Sequence, residues 1–305
     1  MPASGILLVD KPGGMTSHDV VARTRRAFGT RKVGHAGTLD PMATGLLVVG
    51  IEAATRLLTF VVGADKTYVA TIRLGQSTTT DDADGEITVS ASADALAAVT
   101  PERIADGIAA LTGAISQVPS AVSAIKVDGR RAYDRVRAGE EVELAAREVV
   151  VSRFDVLDDR PGVSGSGAAV RDLDVIVDCS SGTYIRALAR DLGAALGVGA
   201  HLTALRRTRV GPFDVADAVD LDGLADAAPM SSAEAAGRIL PVLAVTAEEA
   251  VDLRHGKRLL GQRARLDAPR AAAIDPDGAL IGIVERRGDD LKSAMNMPEQ
   301  GKGAE

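Results

Sequence analysis

The chain is 305 residues long, 46% hydrophobic and 25% charged, with a formal net charge of −7 and no tryptophan; this is enough for one large domain or two ordinary ones around a substantial core. A single cysteine, Cys179, and 4 scattered histidines exclude an intrachain disulfide and a metal-ligand cluster. No apolar run approaches the roughly 20 residues of a membrane span, and the opening MPASGILLVDKPGG lacks the features of a signal peptide, so a cytoplasmic protein with no membrane partner is expected.

Residues 6–9 read as a short buried strand, followed by the turn Asp10-Lys11-Pro12-Gly13-Gly14. Ser17 is expected to cap a helix over about 18–28, with Val20, Val21, Thr24 and Phe28 on one stripe and Gly29 at its end. The loop at 34–45 then places Asp40 among three glycines, a proline and two threonines. Pro41 fixes its own φ and pushes Asp40 toward extended geometry, and the glycines leave space above the loop. An acid presented in this way is a turn former or a nucleophile. Residues 46–51 form the next apolar strand. Residues 66–74 alternate, with Tyr68, Ala70, Ile72 and Leu74 on one face. Residues 76–86 read as a polar acidic loop and 91–111 as one or two helices.

Residues 117–147 carry little core pattern and read as a long functional loop or a small hairpin arm. Two strands, 149–157 and 173–179, flank a Gly/Ser-rich stretch at 160–169 that is expected to be mobile. From Thr183 a helix shows Ile185, Leu188, Ala189, Leu192 and Leu196 at helical spacing. Alanine-rich acidic sequence leads to Pro241. The remainder reads as a small module: a helix over 246–256, a hairpin from 271–274 and 280–285, and a disordered tail after Asn296. The expected division is therefore 1–240 and 241–305, with the arm at about 117–147.

Charge is unevenly distributed. Between Gly211 and Ala250 eight acids face one base, Arg238, a local sum equal to the whole net charge of −7. Elsewhere three groups are locally basic: Arg23, Arg25, Arg26, Arg31 and Lys32; Lys126, Arg130, Arg131, Arg135 and Arg137; and Arg206, Arg207 and Arg209. Local basic faces, rather than the total, attract phosphates.

The Asp40 segment, together with Leu8-Val9-Asp10-Lys11-Pro12-Gly13-Gly14-Met15-Thr16-Ser17, resembles the first two signature motifs of the TruB family of bacterial tRNA pseudouridine synthases. The likeness extends to Asp65-Lys66-Thr67-Tyr68 and to Ser181-Gly182-Thr183-Tyr184-Ile185-Arg186, in the family's order. Ala36 and Thr38 stand where Thr and Ala are more usual, and Ser120 replaces a common second proline. The resemblance implies an α+β fold with a mixed, mainly antiparallel central sheet, flanking helices and a C-terminal PUA-like RNA-binding β module. It implies a monomeric isomerase that converts a uridine in the T loop of tRNA to pseudouridine, with no cofactor.

Breaking a glycosidic bond calls for a carboxylate beside the sugar, and Asp40 is the candidate. Arg186 suits a bidentate partner that keeps Asp40 ionised, since it never deprotonates. It falls in the first turn of its helix, where the macrodipole disfavours a cation and a buried carboxylate would offset the cost. The resemblance makes Tyr68 the ring that stacks on the extruded base and assists proton transfer from C5, and His35 a group that holds or replaces that base. Lys11 supports the loop or contacts a phosphate. Lys126, Arg130, Arg131 and Arg135 are the expected clamp for the T stem-loop. Two other readings remain at this point: an RNA-binding tRNA-folding chaperone without chemistry, and a guide-RNA-dependent relative.

Overall fold

The computed structural model describes residues 4–120, 126–127, 130–131 and 145–298. Apolar segments with period-two burial build a nine-stranded sheet. Its path runs β1 (Gly5–Lys11), β3 (Thr44–Ile51), β12 (Ala200–Val210), β4 (Lys66–Leu74), β11 (Ala169–Cys179), β10 (Arg147–Val163) and β7 (Gly113–Gln117); β2 (Val33–Ala36) pairs with β3 and β13 (Phe213–Asp214) with β12. All these pairings are antiparallel except β3 with β12. Two short ribbons stand apart, β5 (Gln76–Thr78) with β6 (Ile87–Ser90), and β8 (Lys126–Val127) with β9 (Arg130–Arg131).

Helix α1 (Ser17–Ala27) covers β1 and β3, burying Val20, Val21 and Thr24. Its cap differs from expectation. Thr16 accepts from the Asp19 backbone N–H while Asp19 bonds back, a capping box. Ser17 is buried and serves the Asp40 loop instead. After the short α2 (Leu58–Val62), helices α3 (Ala93–Ala97), α4 (Pro101–Ala110) and α5 (Ile185–Leu196) cover one face of β4, β11 and β12. Leu188 and Leu192 of α5 meet Ile72, Leu173 and Val175 there. The opposite face of β4 and β11 carries paired arginines and aspartates.

Two segments depart from the sequence expectation. The Gly/Ser-rich stretch is a hairpin: β10 runs through Pro161 and Gly162 to Val163, β11 begins at Ala169, and the turn between them carries the serines and the other two glycines. Backbone pairing along β11 satisfies this segment. Strand β12 had no sequence signal, yet it sits between β3 and β4 at the middle of the sheet. Its arginines hid it, because a strand rich in cations does not read as core.

Beyond helix α6 (Ser232–Ile239), β14 (Val242–Ala244), β15 (Arg270–Ile274), β16 (Leu280–Arg287) and β17 (Asp290–Asn296) form a four-stranded sheet beside helix α7 (Ala247–Arg254). Ala272, Leu280, Ile283 and Met297 share a core with Ile6, Leu8, Leu46 and Val48, so this sheet packs on the first. Strand β17 was not anticipated. The expected tail beyond residue 298 lies outside the described residues. Among the described residues no helix is long and apolar enough to cross a membrane.

Candidate active site

Strand register builds the floor of the site. Lys11 lies opposite Gly45, Gly45 beside Arg207, Arg207 opposite Tyr68, and Tyr68 opposite Val177. One row of residues therefore crosses five strands. Gly45 is required in it: φ is +100°, and a Cβ there would run into the Arg207 backbone oxygen.

The loop between β2 and β3, which carries Asp40, is held over this row from several sides. Ser17 Oγ accepts from Leu39 N at 2.9 Å and donates to Leu39 O at 3.2 Å. Gly14 N donates to Pro41 O at 2.9 Å, and Lys11 Nζ to the same oxygen at 3.3 Å. Arg207 donates to Gly37 O at 3.0 Å, to Thr38 O at 3.4 Å and to Leu46 O at 2.8 Å. A loop so rich in small residues would otherwise be loose; these bonds fix where its one carboxylate points.

Asp40 meets Arg186 across the cleft, with Arg186 Nε 3.0 Å from Asp40 Oδ2. Arg186 is the second residue of α5, and its side chain is 5% exposed against 36% for Asp40. The guanidinium is shared. Its Nη1 lies 3.2 Å from Asp82 Oδ2 and donates to Thr80 O at 3.0 Å. Asp82 is itself buried; its Oδ1 accepts from Thr80 Oγ1 and, at 3.1 Å, from Asp84 N. Two carboxylates thus offset the unfavourable placement of a cation at a helix N-terminus. Burial nonetheless raises the Asp40 pKa above the ordinary carboxylate value, with Arg186 opposing and the Asp82 charge reinforcing the rise. Asp82 was not singled out in the sequence. It lies in a Thr/Asp-rich stretch where nothing separates it from Asp81 or Asp84.

Lys11 is fully buried, and its Nζ donates to Pro12 O at 2.9 Å and Met15 O at 2.8 Å besides Pro41 O. The ammonium ties turns together and does not reach a surface where a phosphate could lie. Desolvation pulls its pKa down to about 8, against the opposing pull of Asp40. Tyr68 is buried beside Arg207. Burial raises its phenol pKa, while the Arg207 guanidinium, which hydrogen bonds it, counteracts the rise. His35 on β2 stands edge-on to His18, with ring centroids 5.6 Å apart. Its pKa is lowered chiefly by burial and then by the His18 and Arg207 charges. Among the described residues its Nδ1 is buried without a hydrogen-bond partner. Lys11, Tyr68, Arg186 and Asp40 are thus drawn to one place from four separate segments of the chain.

The family model for the TruB family pseudouridylate synthase N-terminal domain matches residues 25–185. The chain belongs to the TruB family. The models for the tRNA pseudouridylate synthase B C-terminal domain and for tRNA pseudouridine synthase II, C terminal, match residues 186–251 and 240–298. The chain is 60% identical over 302 residues to tRNA pseudouridine synthase B of Leifsonia xyli, covering 98% of each protein. It is 55% identical to that of Mycobacterium ulcerans, covering 95% of this chain and 94% of the other. Among solved structures it resembles one of a Cbf5–Nop10–Gar1 complex, with a TM-score of 0.67 at 26% identity over 97% of this chain and 84% of that one. The fold is also that of a chain in an H/ACA RNP bound to a substrate RNA, with a TM-score of 0.68 at 24% identity, covering 97% and 86%. This TruB-family chain is an enzyme of the isomerase class.

The three basic groups of the TruB-family chain fare differently. Arg23, Arg25, Arg26, Arg31 and Lys32 stay exposed around α1. The third group does not form the expected phosphate-attracting face. Arg206 is bidentate to Asp10 at 2.9 and 2.6 Å, Arg207 is 1% exposed under the Asp40 loop, and Arg209 engages Thr67 at 2.9 Å and Asp178 at 3.5 Å. These cations are taken up by partners on β1, β4 and the loop that carries Asp40. In the arm, Lys126, Arg130 and Arg131 belong to the paired backbones of β8 and β9. Arg135 and Arg137 lie outside the described residues.

Proposed function

We propose that this chain converts a uridine in the T loop of tRNA to pseudouridine, acting as a monomer in the cytoplasm and needing no cofactor. The observation that carries the reading is a single carboxylate, Asp40, held in a small-residue loop by four sets of bonds and gripped by the buried Arg186. Near identity in length and strong identity in sequence to tRNA pseudouridine synthase B proteins support the substrate.

In the reaction the N1–C1′ bond breaks, the uracil turns, and C5 bonds to C1′. N1 gains a proton and C5 loses one, so nothing is oxidised and no co-reactant is consumed. Asp40 either attacks C1′ or takes the proton whose loss gives a glycal; each route needs the ionised form. Arg186 favours that form and aims it. Tyr68 stacks on the extruded base and assists removal of the C5 proton, and His35 occupies or lines the space the base leaves. Lys11 and Arg207 hold the loop. Lys126, Arg130, Arg131 and Arg135 grip the phosphates of the T arm. A pure RNA chaperone would have no use for a carboxylate fixed by Arg186 and facing a polyanion.

The test is tritium release from a T stem-loop RNA carrying C5-tritiated uracil. Release with the parent chain, and none with Asp40→Asn, is expected. Absence of release from the parent on folded tRNA and on the stem-loop would sink the proposal.

A further inference from the structure

Residues Asp81 and Asp82 are consecutive carboxylates that serve different arginines. Asp82 Oδ2 lies 3.2 Å from Arg186, and Asp81 Oδ2 lies 3.5 Å from Arg190 Nη1. The two arginines are four residues apart on α5 and so share one face of the helix. Asp81 can face away from its neighbour because its backbone is left-handed, with φ at +61°. Aspartate tolerates that region better than most residues, yet the conformation persists only where its surroundings hold it.

The same carboxylate holds a third element. Ser120 Oγ donates to Asp81 Oδ2 at 2.7 Å, and Arg190 Nη2 donates to Val118 O at 2.8 Å. One step earlier, the buried Gln117 bonds both ways with Tyr184, the N-cap of α5: its Nε2 donates to Tyr184 O at 3.1 Å, and its Oε1 accepts from Tyr184 N at 2.8 Å. The described segment 117–120 is therefore stitched to α5 on either side of Arg186, once at the helix cap and once a turn beyond it.

We propose that Asp81, with Arg190 and Ser120, is a positioning set that fixes the register of the Asp82 loop against α5 and so holds Arg186 at Asp40. The inference rests on the pseudouridine-synthase reading of the site and adds residues to it. None of the three touches Asp40. They act through the shared guanidinium: Arg186 has one carboxylate on each side, and its aim at Asp40 depends on where the Asp82 loop sits along the helix. The Asp81–Arg190 pair sets that position, and Ser120 donates to the same Asp81 oxygen, Oδ2, that Arg190 approaches.

The experiment is a set of single-turnover rates at saturating T stem-loop RNA, with affinity measured separately. Asp81→Asn and Arg190→Gln should each slow the step about tenfold, and the double variant should be no slower than the worse single one. RNA affinity should stay within about twofold, and Ser120→Ala should give a smaller loss, restored by Ser120→Thr. On an Asp82→Asn background, Asp81→Asn should have no further effect, which a general loosening of the fold would not produce. Multiplicative losses on that background, or a loss in affinity with the saturated rate intact, would overturn the proposal. A crystal structure of Asp81→Asn supplies a readout independent of turnover. Arg186 displaced from its 3.0 Å approach to Asp40 supports the inference, and an unmoved Arg186 refutes it. Failure of the parent chain to release tritium would instead count against the functional reading.

Discussion

Arginine–aspartate pairs occur in two regions of this molecule, and the better-formed ones are not those of the candidate site. On the outer face of the sheet, Arg73 is bidentate to Asp172 at 2.8 and 2.7 Å; at the rim of the helix-covered face, Arg171 is bidentate to Asp159 at 2.6 Å for both bonds and also donates to Val99 O. Arg160 bridges Asp158 and Asp174. In the cleft, Arg186 makes longer ion pairs of 3.0 and 3.2 Å and divides itself between two carboxylates. Water screens the outer ladder, so its good geometry carries little energy. In the cleft, burial outweighs a single shared guanidinium, and the Asp40 pKa rises. On the outer face Asp174 shows the opposite direction: hydrogen bonds from Arg160 pull it down. The same two residue types thus make a solvated face in one place and a reactive group in the other. The burial of the guanidinium separates them: Arg186 is 5% exposed, against 27% for Arg73 and 46% for Arg160.

The largest expected effect tests the cleft side of that comparison. Asp40→Asn should lower turnover by something on the order of 10⁴ while RNA binding is kept, because the interaction removed belongs to the reaction. Its effect on stability should be the reverse of a lost salt bridge. The folded pKa is raised, so between the unfolded and folded values the native chain binds more protons and stability falls as pH rises. Removing the charge removes that cost, and Arg186 keeps Asp82; the melting temperature at neutral pH should hold or rise. A melting temperature several degrees lower would mean the pair stabilises the fold after all.

Arg186→Lys sharpens the role of sharing. A point charge cannot serve Asp40 and Asp82 from one planar fork, so a loss of about 10²-fold is expected. The acidic limb of the pH–rate profile should move to higher pH, since the cation that opposes the rise in Asp40 pKa is weakened. A limb that stays in place would detach Arg186 from the ionisation of Asp40.

Neutralising Arg130, Arg131, Arg135 and Arg137 together addresses solvated cations. Affinity should fall with the fold intact, and the slope of log K against log salt should flatten by about 0.7 to 0.9 for each phosphate that is no longer neutralised. An unchanged slope would place the RNA footprint elsewhere, with the exposed group at Arg23, Arg26 and Arg31 the next candidate.

The smallest effect belongs to the outer ladder. Arg73→Ala should cost about 0.2–1 kcal/mol of stability and leave the saturated rate unchanged. A larger loss in chemical denaturation would show that the ladder is more than a solvated face.

Periodicity and local chemistry made much of the chain readable in advance. The alternation of Lys66–Leu74 placed Tyr68 on the inner face of β4, and the apolar spacing after Thr183 put Arg186 in the first turn of α5. The glycines and proline around Asp40 marked a loop open to a partner. These signals are local, because a strand's pleat, a helix's turn and a proline's φ are set by a few neighbouring residues. Strand β12, the capture of Asp82 by Arg186, the burial of Arg207 beneath the Asp40 loop and the left-handed turn at Asp81 were decided only by the tertiary structure. In sequence, Arg206, Arg207 and Arg209 look like a solvated basic face, and Asp81, Asp82 and Asp84 like interchangeable loop acids. Their partners come from segments far away in the chain: Asp10 from β1, Gly37 and Thr38 from the β2–β3 loop, Arg186 and Arg190 from α5. The energy of a charge depends on what surrounds it once water is removed, and that is known only when the strands are in register.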